Sequence, residues 1–392
     1  MQDEAFRRDE EFRREVRDWL ADNVTADLRG LGGPGREHEA FDRRLDFNRR
    51  LAAAGLTCLG WPVQHGGRGA SLAQQIAFHE EYARAGAPAR VDHIGETLVG
   101  PTLIAFGTPE QQRRFLPRIA SVEQLWCQGY SEPGAGSDLA AVAIRAVPDG
   151  DAWVINGQKT WTSLAQWADW CFLLARTRPV DPAGTRHAGL SYLLVPMRQP
   201  AVTVRPIRQL TGTSEFNEVF FDGARTARDL VVGEVDQGWR VAMGTLTFER
   251  GAATLGQQVG FQRELDAIIA LARRTGAAED PAVRDRLARA HIGLSVLRAH
   301  ALRTTRSVST DPAQAASVQK VLWSRWHRDL GELAMQVRGA AGMVARGAAY
   351  DLDDWQRLFL FSRADTIYGG SDEIQHTIIA ERVLGLPRPA RR

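Results

Sequence analysis

The strongest constraint on this chain is a double change in the spacing of its apolar residues. Up to about residue 125 they recur at the helical period of about 3.6. Phe6, Phe12, Val16, Trp19 and Leu20 form one amphipathic stripe between charges, and residues 41–56 repeat the pattern. From about Leu125 the period falls toward about 2. Residues 152–155, 170–175, 191–196, 202–204 and 217–221 carry β-branched and aromatic side chains, with turn clusters such as Pro148-Asp149-Gly150-Asp151 between them. After Gly233-Glu234-Val235-Asp236-Gln237-Gly238-Trp239 the helical period returns. It continues through 239–274 (one long helix or two), a helix opened by Asp280-Pro281, and residues 315–338 and 371–384. The 392 residues exceed one ordinary core. The expected class is α+β and multidomain: a helical unit over 1–124, a β-barrel or sandwich over 125–234, and a four-helix bundle over 235–392. Two or more of the last helices are apolar on more than one side, so the bundle is expected to pack on further copies.

Composition removes several functions. A net charge of +2 gives no reason to expect nucleic acid or an anionic membrane as partner. No run of about 18 apolar residues exists, so membrane insertion is not expected. Cys58, Cys127 and Cys171 are scattered without metal spacing or a disulfide framework, which predicts no metal and a reducing compartment. The N-terminus is charged and lacks a secretory apolar core, so a cytoplasmic location is expected. Of the 49 basic residues only Lys159 and Lys320 are lysines, and arginine suits fixed phosphate contacts.

Chemistry concentrates in residues 126–140, WCQGYSEPGAGSDLA. Gly134, Gly136 and Pro133 predict a tight turn with φ > 0 and close backbone approach. Ser131 and Ser137 flank it, with one acid on each side, Glu132 and Asp138. Such a loop can aim N–H groups and hydroxyls at a flat, heteroatom-rich ligand; an ordinary Gly-rich turn between strands has the same composition. Upstream, the Gly-dense loop Gly60–Ala70 ends in Ser71, a helix N-cap, and carries His65 as a loop residue. One helix ends near Gly107, and Thr108-Pro109-Glu110 starts the next.

The string 126–140 resembles the first signature of the acyl-CoA dehydrogenase family, where this loop lies under the isoalloxazine ring of FAD. The Gly60–Ala70 loop and residues 99–119 also look like that family, and the helical–β–helical order is similar to its architecture, usually tetrameric. The resemblance implies FAD as cofactor, with Gln128, Tyr130, Ser131, Gly136 and Ser137 on the first loop. Trp161 would pack on the flavin and Ser163 reach its polar edge; alone, Trp161 reads as a half-buried sheet residue. Ser371 and Glu373 align with a Thr and an amide that meet the cofactor. Gln336-Val337-Arg338-Gly339 resembles a second signature that approaches a neighbouring subunit's FAD, so Gln336 and Gly339 would act in trans. The family's Arg-x-x-Phe-Gly string, which meets the pyrophosphate across the interface, is incomplete: Arg273 or Arg274 is present without the Phe-Gly.

The implied reaction removes an α-proton from an acyl thioester while hydride leaves Cβ for the flavin. It needs a carboxylate at the α-carbon and donors at the thioester oxygen. Most members carry that base in Tyr-Glu-Gly-Thr; this chain reads Tyr368-Gly369-Gly370-Ser371, so the usual base is missing. In the isovaleryl- and long-chain-like branches the base sits before an Arg on the first C-terminal-domain helix. That place reads Phe248-Glu249-Arg250, so Glu249 matches it, although most Glu-Arg pairs on helices are simply solvated. Ser137, Tyr368, Gly369 and Arg250 fall on the substrate side, with the Gly369 N–H facing the thioester oxygen and Arg250 as an ionic partner. The implied partners are an acyl-CoA or acyl-carrier thioester and an electron-transferring flavoprotein. Two alternatives remain: a hetero-oligomer whose partner chain completes the FAD site, and a flavin oxidase or monooxygenase on the same scaffold.

Overall fold

The computed structural model describes residues 2–180, 184–248, 253–306, 312–345, 347 and 351–387. The first unit holds α1 (Gln2–Asn23), α2 (Phe41–Ala53), α3 (Leu72–Arg84), α4 (Gly100–Phe106) and α5 (Pro109–Ala120). The stripe expected on α1 is buried from Phe12 on: Phe12, Val16 and Leu20 pack with Phe47, Leu51 and Phe78 of α2 and α3, Trp19 is partly buried against them, and Phe6 is exposed. Ser71 and Thr108 each close a reciprocal capping box, with Gln74 and Gln111 at the third helical position, and Pro109 occupies the first turn. Each such cap is worth about 1 kcal/mol. A π-helical turn, Gly95–Val99, leads into α4.

The middle unit is one eight-stranded sheet with the path β6-β7-β3-β2-β4-β5-β8 and β1 added to β4. Its strands are β1 (Trp126–Gly129), β2 (Arg145–Asp149), β3 (Ala152–Ser163), β4 (Trp170–Arg176), β5 (Leu190–Pro196), β6 (Val202–Ile207), β7 (Phe216–Ala227) and β8 (Val231–Val232). Central β4 is apolar from Trp170 to Ala175 because both its faces are covered. Phe172 and Leu174 join the core shared with the helices. Cys171, Leu173 and Ala175 join the opposite core. The β3–β7 ladder shifts register between Lys159 and Thr162, which lifts Trp161 out at φ 59°.

The last unit holds α6 (Gly238–Phe248), α7 (Ala253–Thr275), α8 (Pro281–Arg306), α9 (Pro312–Arg338), α10 (Asp354–Asp365) and α11 (Asp372–Ile378). In the region 239–274, α6 and α7 are described up to Phe248 and from Ala253, and the residues between lie outside the description. Four helices, α7 to α10, share one core around Leu265, Ile268, Leu330, Leu333 and Leu358. The fourth is α10, which the periodicity reading passes over, while 371–384 is helical as expected, α11 running straight into a π-helical turn, Ile379–Val383. Three strands were also missed. β1 and β8 are short, and β2 buries one residue of its five, so none shows a readable alternation. No described helix is long and apolar enough to cross a membrane.

Candidate active site

The glycine loop hangs between β1 and β3. Glu132 and Ala135 exchange backbone hydrogen bonds of 3.1 and 3.0 Å around Pro133-Gly134. Beneath them the Glu132 carboxylate accepts from the N–H groups of Ala143 (2.7 Å) and Ile144 (3.0 Å) and from Lys159 Nζ (2.9 Å). Lys159 also donates to the Tyr130 carbonyl at 2.8 Å and is fully buried. Burial draws its pKa down to about 8, against the pull of Glu132. The Thr160 N–H donates to the Ser131 carbonyl at 2.9 Å, so Ser131 is stitched to the strand bearing Trp161 and Ser163. Neither Glu132 nor Lys159 stands out in the sequence as a site residue; the one available signal was that lysine occurs only twice.

The loop corrects one expectation. Gly134 and Gly136 are absent from the positive-φ residues, and a Cβ on either would meet nothing within 4 Å. Their small size leaves an open face instead of relieving the backbone. Trp161 stands 58% exposed beside it, its ring edge-on to Phe216 at 6.1 Å, which contradicts a half-buried sheet role. An open glycine face, an exposed indole and the hydroxyls of Ser131, Ser137 and Ser163 suit a flat, polar-edged ring such as FAD's. Gln128 is half-buried in β1. Tyr130 is buried edge-on to Phe172 and Tyr192, its hydroxyl 3.4 Å from the Ala242 carbonyl of α6. The turn between β4 and β5 straps the loop's far end: Arg186 pairs with Asp138 at 2.8 Å, and His187 stacks on Trp239 at 4.2 Å.

Helix α6 therefore docks on the loop's supports. A Cβ at Gly238 would collide with the Ser191–Tyr192 backbone, so only glycine lets this helix start so close to β5. Val241, Ala242 and Thr245 face inward. Glu249 and Arg250, which follow Phe248 directly, lie outside the described residues.

The second group is on the bundle. Gly369 has φ +64° and Gly370 φ +91°, and Gln375 Nε2 donates to both carbonyls at 3.2 and 3.4 Å. Among the described residues the Gly369 N–H has no hydrogen-bond acceptor. Ser371 caps α11 by accepting from the Ile374 N–H at 3.4 Å, and Glu373 is exposed one residue into that helix. Tyr368 donates to Asp365 at 2.7 Å. Asp365 also meets His327 Nδ1 at 2.6 Å, and Glu264 meets its Nε2 at 2.9 Å. Burial disfavours the His327 cation, but the Asp365 and Glu264 carboxylates prevail and raise its pKa to about 9. Lys320 donates to the Asp365 carbonyl and lies over the Tyr368 ring at 4.5 Å.

Arg274, Gln336 and Gly339 stand apart from this group. Arg274 is exposed in the last turn of α7. Gln336 is exposed near the end of α9, where Arg286 donates to it, and Gly339 follows with φ +57° and an open face. Along α9, Gln336 lies roughly 24 Å beyond Lys320, which packs beside Gly369, at about 1.5 Å per residue. The chain does not gather all the expected cofactor residues around one ring position. No group of metal-ligating residues occurs among the described residues.

Three family profiles match in order: the acyl-CoA dehydrogenase N-terminal domain over 7–123, the middle domain over 127–224 and the C-terminal domain over 236–384. The chain belongs to the acyl-CoA dehydrogenase family. It is 64% identical over 385 residues to the acyl-CoA dehydrogenase IpdE1 of Mycobacterium tuberculosis, covering 97% of this chain and 99% of that one. It is 62% identical to IpdE1 of Mycolicibacterium smegmatis over 97% of this chain and 98% of the relative. Among solved structures, the ChsE4-ChsE5 complex from Mycobacterium tuberculosis matches with TM-score 0.83 and 32% identity, over 97% of this chain and 98% of that one. The Tcur3481-Tcur3483 steroid acyl-CoA dehydrogenase (ACAD) matches with TM-score 0.83 and 30% identity over the same shares. The chain is thus an acyl-CoA dehydrogenase, from a family of FAD-dependent flavoproteins, built as helical, β and helical units.

Proposed function

We propose that the enzyme oxidises the Cα–Cβ bond of an acyl thioester, with Glu249 taking the α-proton. The observation that carries this reading is Gly369. Where most of the family has a carboxylate, this backbone is left-handed, has no side chain and presents an N–H without an acceptor among the described residues. Such an N–H suits the thioester oxygen, where negative charge grows as the proton leaves. The base must then come from elsewhere, and Glu249 follows α6, the helix docked against Tyr130 and Tyr192. Bound on the glycine loop, FAD supplies the acceptor for the β-hydride. Ser131, Ser137, Trp161 and Ser163 would hold and orient it, with Gln128, Tyr130, Gly136, Ser371 and Glu373 around them. Ser137, Tyr368 and Arg250 would border the thioester. A carboxylate base in place is what a dehydrogenase needs and favours that chemistry over an oxygen-using oxidase. Anaerobic mixing of the flavin-loaded Glu249→Gln variant with a thioester that bleaches the wild-type flavin tests the reading. Retained flavin with loss of bleaching is expected; an undiminished rate refutes it.

A second reading concerns assembly. Gln336 and Gly339 lie too far along α9 to share a ring with the Gly369 group, and Arg274 lacks its Phe-Gly. We infer that these residues serve the FAD of a neighbouring subunit, and that a different chain supplies the missing half in a heterotetramer; the two solved neighbours named above pair two proteins. By the same analogy the acyl group is bulky or steroid-derived, on CoA or a carrier protein, and electrons leave to an electron-transferring flavoprotein. We place the enzyme in the cytoplasm and divide it at 1–124, 125–234 and 235–392. Flavin content of the chain purified alone separates the assemblies: full occupancy in a homotetramer counts against a partner chain.

A further inference from the structure

Where the three units meet, three hydroxyls are buried in contact. Thr102 of α4, Tyr192 of β5 and Thr245 of α6 are each 0% exposed. Thr102 Oγ1 and Thr245 Oγ1 are 2.8 Å apart, Thr245 Oγ1 is 3.5 Å from the Tyr192 hydroxyl, and Thr102 Oγ1 donates to the Leu98 carbonyl at 2.8 Å. Thr245 Oγ1 also lies 3.0 Å from the Val241 carbonyl, one turn back on its own helix. Thr245 Oγ1 donates toward the Tyr192 hydroxyl, Thr102 Oγ1 donates to the Leu98 carbonyl, and either threonine can donate across the contact between them. Burial raises the Tyr192 pKa well above the ordinary phenol value, so the group stays a neutral hydroxyl. The chain of hydroxyls ends on a carbonyl of the π-helical turn Gly95–Val99, a local irregularity of a kind that often marks functional sites.

Packing alone does not require these hydroxyls. Val241 and Ala242 already bury the inner face of α6, and a valine at 245 would keep Thr245's volume. The hydroxyls add direction: a threonine on α6 must sit at one depth and rotation to meet partners on two other units. Thr245 is on α6, four residues before Glu249 in the sequence. We propose that Thr245, held by Thr102 and Tyr192, is a positioning residue that fixes the depth and rotation of α6 and through them the presentation of Glu249, four residues on in the sequence. The proposal rests on Glu249 being the base.

The test is anaerobic flavin bleaching by the flavin-loaded enzyme, in its native assembly. The probe is whichever of butyryl-, isovaleryl- and steroid-side-chain acyl-CoA bleaches the wild type fastest. Misplacing a reacting group by about 1 Å costs on the order of 100-fold. Thr245→Val should slow bleaching by about 10- to 100-fold at saturating thioester, with KM and flavin content unchanged. Thr245→Ser, which restores the hydroxyl, should return the rate to within about threefold. Tyr192→Phe should fall between them. A Thr245→Val rate equal to wild type, beside an inactive Glu249→Gln, overturns the positioning role and leaves the base assignment standing. A rate lost together with flavin, and unrescued by serine, also overturns it, because that is the signature of a merely structural residue. An active Glu249→Gln removes the base assignment and the proposal with it.

Discussion

Replacing Lys159 with methionine isolates the interaction that shapes the glycine loop. Methionine keeps the apolar length of the side chain and removes only the ammonium group. Glu132 then keeps its two N–H donors at 2.7 and 3.0 Å but loses the cation at 2.9 Å. Removing one member of a buried ion pair costs about 3–5 kcal/mol. The remaining N–H donors hold the carboxylate toward the lower end of that range. The Tyr130 carbonyl also loses its donor, adding about 1 kcal/mol. The expected loss for Lys159→Met is therefore about 4 kcal/mol, and the proposed seat of FAD on this loop predicts reduced flavin content. Urea unfolding of the flavin-loaded enzyme, followed by tryptophan fluorescence, measures the first quantity, and flavin absorbance per chain after gel filtration the second. The double variant Glu132→Gln/Lys159→Met should recover about 2 kcal/mol, since no buried charge is left unpaired. A single variant destabilised by less than about 1 kcal/mol, with wild-type flavin content, would refute the claim that this ion pair builds the loop.

Two further outcomes follow from the bundle. The His327 pKa is raised from 6.5 to about 9, so its contribution to stability is complete below about pH 6.5 and is lost as pH rises through about 9. At about 1.4 kcal/mol per unit this amounts to roughly 3 kcal/mol; urea midpoints taken from about pH 6 to about pH 10 should fall for the wild type and stay flatter for His327→Gln. Gly369→Ala places a Cβ in ordinary contact with Lys320, at 3.8 Å from Cε, so its cost is that of a left-handed L-residue, about 1–2 kcal/mol. Thermal unfolding should show a small loss; no change in Tm would mean that the Gly369 backbone is not held left-handed.

How much of this was legible in the sequence depends on the range of the interaction. The helical–β–helical order could be read because each period reports local burial. Ser71 and Thr108 could be read as caps because a cap involves neighbours only three residues apart. The Glu132–Lys159 pair spans 27 residues and leaves no periodic trace. The contacts of Thr245 with Thr102 and Tyr192 span 143 and 53 residues and are equally silent. Helix α10 was missed because the consecutive apolar run Leu358-Phe359-Leu360-Phe361 blurs the helical spacing of Trp355, Leu358 and Phe359. Gly134 and Gly136 misled for another reason: glycine marks both strained turns and open ligand faces, and composition does not separate the two. The family motifs carried the candidate site residues. They also exposed the departures at Gly369 and Arg274, which on period alone are an ordinary loop and an ordinary helix end.

The most direct test of the central claim compares the wild type with Glu249→Gln in a single anaerobic turnover. Both are loaded with flavin, in the presence of a partner chain if one is needed, and mixed with a thioester that reduces the wild type. The expected result is rapid bleaching of the wild-type flavin and a rate lowered by roughly a thousandfold or more in the variant, with equal flavin content. Equal bleaching rates would contradict Glu249 as the base and return the search to the residues around Gly369.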